Sequence, residues 1–111
     1  MPEFTHKNLA AGGWQALSLM EQLGNIGSEA ARAARWQWKN DEHFFNAVFR
    51  TLELFDLTLD DSRWKARLRE IARAREVFCD AVFNNGGEWH TRLSDMDKYF
   101  FQFAFAARKT L

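Results

Sequence analysis

Along most of this chain apolar residues recur at alternating steps of four and three, the spacing of a helix that turns one face to a core. The clearest instance is Arg63 to Phe83, where Trp64, Leu68, Ile71, Phe78 and Val82 form a stripe. Between Ile71 and Phe78 the register asks for an apolar residue and the chain supplies Arg75. An earlier stripe of Leu19, Leu23, Ile26, Ala30 and Ala33 predicts a helix beginning at Ser18, because Ser18 and Glu21 have capping-box spacing. Gly24 and Gly27 lie inside it, each costing roughly 1 kcal/mol of helix propensity relative to alanine. With Ala30, Ala31, Ala33 and Ala34 they make a thin helix that a neighbour can approach closely. No strand precedes these glycines, which argues against a phosphate loop. Phe44, Val48, Leu52, Phe55 and Leu59, flanked by Phe45 and Phe49, predict a helix running from caps at Asn40 and Asp41 to about Leu59. Asp60, Asp61 and Ser62 then break the chain, and Asp61 or Ser62 places an oxygen at the positive end of the Arg63–Phe83 helix.

The Asn84-Asn85-Gly86-Gly87 stretch is a strong turn signal. Ser94 and Asp97 repeat the capping-box spacing and predict a fourth helix, with a stripe of Met96, Phe100, Phe103 and Ala107. Tyr99, Phe101 and Phe105 make that helix apolar on further faces, so it is either central or turned to another subunit. Four amphipathic helices with short connections and almost no strand signal predict an all-α fold, an antiparallel up-down four-helix bundle. Residues 1–16 hold the only proline, two adjacent glycines and no period, and read as an N-terminal arm that Trp14 pins to a single bundle domain of residues 17–111.

A length of 111 residues suits one domain, and 47% hydrophobic residues with 15% aromatics argue against disorder. Fifteen basic residues balance fifteen acidic ones, so attraction to nucleic acid or to an anionic membrane would have to come from a local patch. The one cysteine, Cys79, allows no intrachain disulfide, and neither a signal peptide nor a membrane span is recognisable. The expectation is a cytoplasmic protein without membrane insertion.

Candidate chemistry is sparse. Arg75 either snorkels from the edge of its stripe and pairs with Glu53, Asp56 or Asp80, or lines a groove and holds an anion. From Arg63 to Arg75 the residues Arg63, Lys65, Arg67, Arg69, Arg73 and Arg75 face a single acidic residue, Glu70. That stripe is a solvated or internally paired face, or it tracks a phosphate backbone. His6, His43 and His90 have no metal-ligand spacing, no Glu-x-x-His pair exists, and Cys79 has no histidine beside it, so no catalytic residue, metal or cofactor is expected.

The segment Arg75-Glu76-Val77-Phe78-Cys79-Asp80-Ala81-Val82-Phe83 resembles the motif of small four-helix bundles of the HEPN type, in which an arginine and a polar residue are followed by three further residues and a histidine, sometimes with a tyrosine two residues on. Residues 25–31, Asn-Ile-Gly-Ser-Glu-Ala-Ala, resemble an earlier-helix segment of some members. In that family the arginine and histidine serve metal-independent RNA cleavage, and many members pair with a minimal nucleotidyltransferase in toxin–antitoxin modules. Arg75 matches the arginine, whereas Asp80 stands in the histidine position and Val82 in the tyrosine position. The resemblance therefore implies a bundle with a partner-binding role and argues against nuclease chemistry, since the group that titrates near neutral pH is missing. The leading expectation is a non-catalytic interaction module that forms a homo-oligomer or binds a protein partner through Tyr99, Phe101 and Phe105. The alternative is an RNA-binding protein or divergent ribonuclease using the basic third helix.

Overall fold

A computed structural model describes residues 13–85, 87 and 91–96. Among them the protein is all-helical, with α1 at Leu19–Trp36, α2 at Asp41–Leu59 and α3 at Leu68–Phe83. Short 3-10 turns lie at Trp14–Ala16, Ser62–Arg67 and Leu93–Asp95. The expected fourth helix and its Tyr99, Phe101 and Phe105 lie outside the described residues, as do His6 and His90. No helix among the described residues is long and apolar enough to cross a membrane.

Helix α1 begins as its sequence dictates. The Ser18 hydroxyl accepts from the Glu21 N–H at 3.1 Å, and the Glu21 carboxylate accepts from the Ser18 N–H at 2.8 Å. It ends in a tight turn in which Trp38 takes φ 67°, the left-handed region usually left to glycine or asparagine. The Asn40 side chain then accepts from the His43 N–H at 2.9 Å and starts α2. The short turn sends α2 back along α1, and these two helices form the most extensive pairing among the described residues. Leu19, Leu23, Ile26, Ala30 and Ala33 of α1 are buried against it, as the stripe predicts.

Along α2 the buried face is rotated from the apolar stripe. Phe44, Ala47, Val48, Thr51, Leu54, Phe55 and Thr58 are buried, while Leu52 and Leu59 are half-buried at its margin. Two threonines fit inside because each hydroxyl donates to the carbonyl four residues back, Thr51 to Ala47 at 2.7 Å and Thr58 to Leu54 at 3.0 Å. Helix α3 corrects the sequence reading at its start. The α-helix begins at Leu68, not Arg63, and the 3-10 turn before it carries a break at Trp64 with φ −102° and ψ 24°. Its core seam is Ile71, Ala74, Val77, Phe78 and Ala81, so Ala74 occupies the position for which the stripe had offered Arg75. Phe55 and Phe78 join α2 to α3 with ring centroids 6.1 Å apart. Asn85, at φ 53°, turns the chain after α3, and the Leu93–Asp95 turn packs on α1 and α3 with Leu93 and Met96 buried.

The glycine expectation fails at one position. Gly24 is exposed, and a Cβ built there meets nothing within 4 Å, so no neighbour approaches it closely. Gly24→Ala should therefore stabilise the protein by about 1 kcal/mol through helix propensity alone. Thermal melts followed by circular dichroism check this, with a rise in Tm of about 5 °C expected.

Candidate functional site

Among the described residues two places gather polar chemistry. The first is a buried cluster where the 3-10 turn at Trp14–Ala16, the start of α1, the end of α2 and the Ser62–Arg67 turn converge. Trp14 is fully buried and its indole N–H donates to the Thr58 hydroxyl at 2.9 Å. The Gln22 amide donates to the Trp14 carbonyl at 2.8 Å and to Asp61 Oδ2 at 3.2 Å, and its oxygen accepts from the Trp64 indole at 2.9 Å. Asp61 caps the turn by accepting from the Arg63 N–H at 3.1 Å, and holds the Arg63 guanidinium at 2.7 Å. The same guanidinium donates to the Leu17 carbonyl at 2.7 Å and lies 4.4 Å from the Trp64 ring centroid. Hydrogen bonds from Arg63 hold the Asp61 carboxyl below the usual carboxylate range, against the upward push of burial. Every one of these groups has a partner within the protein, so the cluster acts as a structural clamp.

The second place is the outer side of the α2–α3 junction. Phe49, Leu52, Glu53, Asp56, Leu57, Asp60 and Arg75 line an open groove of about 590 Å3. Arg75 Nε donates to Asp56 Oδ1 at 3.0 Å across it. On α2, Phe45, Phe49, Leu52, Asp56 and Leu59 repeat at alternating steps of four and three; on α3, Leu68, Ala72, Arg75, Cys79 and Val82 do the same. The ion pair thus joins two apolar seams at equivalent positions. Both seams are partly uncovered. Phe49 is 59% exposed and Leu68 37%, and Phe45 stacks on Phe49 with centroids 6.0 Å apart. Burial pushes the Cys79 thiol above its ordinary pKa, with Arg75 opposing and Asp56 and Glu76 adding to the rise, which makes it a poor nucleophile at neutral pH.

The six basic residues read from the sequence are dispersed. Arg63 belongs to the clamp, Arg67 pairs with Glu70, and Arg75 pairs with Asp56. Lys65, Arg69 and Arg73 are exposed. Arg75 and Asp80 do not meet. Asp80 is buried and accepts from the Asn84 amide at 3.0 Å, while Arg75 reaches Asp56 and approaches Cys79 Sγ at 3.9 Å. His43 is exposed and packs against the Trp36 ring. Among the described residues no three histidine, cysteine or acidic side chains gather as a metal site. Sequence reasoning missed Gln22 and Thr58, whose only signal was a polar residue at a core-facing helical position. Comparison of the chain with protein-family models, with curated proteins and with solved structures returns no match.

Two substitutions separate these places. Asp61→Asn removes the charge that Arg63 and Gln22 are arranged around and should cost about 2–3 kcal/mol at neutral pH, read by denaturant unfolding. Because the folded-state pKa of Asp61 is depressed, its stabilisation is present above the unfolded carboxylate pKa and is lost as pH falls through the lower folded value. The stability of Asp61→Asn should accordingly fall less steeply on acidification than that of the parent protein. Arg75→Met, by contrast, removes an ion pair whose aspartate is 61% exposed and should leave stability within about 1 kcal/mol of the parent.

Proposed function

We propose that the protein is a non-catalytic helical interaction module that self-associates or binds a protein partner. The observation that carries this reading is the uncovered apolar face at the α2–α3 junction, where Phe45, Phe49 and Leu68 are exposed beside a groove. Large apolar side chains left exposed beside a recess mark protein interfaces. The satisfied bonding of the buried cluster supports it too, because no polar group there is left over for chemistry on a substrate. In this reading the chain completes an antiparallel up-down four-helix bundle, with Tyr99, Phe101 and Phe105 on the fourth helix adding to the partner surface. The resemblance of Arg75–Phe83 to HEPN-type bundles is consistent with an accessory subunit that has lost the nuclease histidine.

The competing reading is an RNA-binding protein or divergent ribonuclease that uses the third helix. Lys65, Arg69 and Arg73 are exposed on or before the third helix, while Arg63, Arg67 and Arg75 are engaged by carboxylates of the same chain. Light scattering with absorbance at two wavelengths, on full-length protein purified without nuclease, separates the two readings. An interface driven by apolar burial should give an oligomer with a protein-like absorbance ratio at both low and high salt. A monomer that carries nucleic acid at low salt and loses it at high salt overturns the interaction-module reading.

A further inference from the structure

We infer that the occupant of the α2–α3 groove is the same groove of a second copy of this chain, related by a two-fold axis through the Asp56–Arg75 ion pair. This rests on the interaction-module reading and specifies its partner and its face. Symmetric pairing requires a face complementary to itself, and this one carries the needed features in matched positions. Helices α2 and α3 run antiparallel across the groove, with Asp56 and Arg75 at one level and Phe55 and Phe78 at the next. A two-fold axis normal to the groove therefore lays α2 of one copy along α3 of the other. Phe49 lies seven residues before Asp56, and Leu68 lies seven residues before Arg75. Each sits about 10 Å along its helix from the axis, so the axis sets Phe49 of each copy over Leu68 of the other. These are two of the large apolar residues left exposed in the monomer. Phe49 supplies a protruding ring and the groove beside it supplies the recess.

The charges agree with the same operation. The axis brings Asp56 of one copy beside Arg75 of the other and closes the two pairs into a ring of alternating sign. Glu53, three residues before Asp56, falls on the side of Arg69 and Arg73 of the second copy. Laying α2 on α2 instead would set the acidic edge of Glu53, Asp56 and Asp60 against itself. The net charge of zero adds no long-range repulsion between copies.

Sedimentation velocity on the full chain over a dilution series tests this, with circular dichroism melts reporting whether each variant folds. The parent should sediment as a dimer. Phe49→Glu and Leu68→Glu should each shift it to a monomer with an unchanged helical signal, and Trp38→Lys, which alters an exposed aromatic at the α1–α2 turn, should leave the dimer intact. Glu53→Arg and Arg69→Glu should each weaken the dimer at least tenfold, and the two together in one chain should recover most of that loss. A folded parent that stays monomeric at every concentration overturns the second copy as occupant and leaves a different protein as the partner. A dimer indifferent to both glutamate variants overturns this face while self-association stands. Dissociation by Phe101→Glu alone would overturn this face and move the interface to the segment around Phe101.

Discussion

The buried carboxamide of Gln22, bonded at once to Trp14, Asp61 and Trp64, is the constraint on which the rest of the structure leans. It ties the Trp14 turn and the start of α1 to the Asp61–Trp64 turn, 39 and 42 residues on, and a buried polar group of this kind is tolerable only if all its bonds are made. That requirement makes the cluster specific as well as stabilising. Asp61 can cap the Ser62–Arg67 turn, hold Arg63 and accept from Gln22 only with the turn wound as it is. Trp64 must leave helical geometry to present its indole to Gln22. The late start of α3 follows, and with it the seam in which Ala74 and Phe78 face the core.

Placing Ala74 in the seam moves Arg75 to its edge and spares the protein an uncompensated buried charge. From that edge Arg75 reaches Asp56 at a groove that Phe49, Leu52 and Leu57 line together with the acidic Glu53 and Asp60. The balanced composition of the chain is thus resolved locally. Asp56 on α2, Asp61 at the turn and Glu70 on α3 take up Arg75, Arg63 and Arg67. At the outer side of the α2–α3 junction Phe45, Phe49 and Leu68 stay exposed, and the proposed association through apolar burial rests on them.

Features set by neighbours in the chain were legible in the sequence. The reciprocal cap of Ser18 and Glu21, the Asn40 cap, the span of α2 and the turn at Asn84–Gly87 depend on residues three or four apart, and the structure has them where the spacing puts them. The core faces were legible only in part, because hydrophobicity and burial are different quantities. Thr51 and Thr58 are polar in sequence yet inside, since each hydroxyl is satisfied by its own helix. Phe45 and Phe49 are apolar yet exposed. The Asp56 partner of Arg75 was one of three acidic residues within sequence reach, and choosing among them required the packing angle of α2 on α3.

The sequence alone therefore determined that the described residues are helical and where α1 and α2 begin. Those properties follow from local backbone hydrogen bonding and from residue types at short range. Only the tertiary structure decided that Trp14 belongs to the core, that the first turn of the basic segment is drawn out of the α-helix, and that Arg75 stands at a groove opposite Asp56. Each of these depends on groups nineteen to forty-six residues apart meeting at hydrogen-bonding distance, and helical periodicity carries no information about which distant partner a side chain will find.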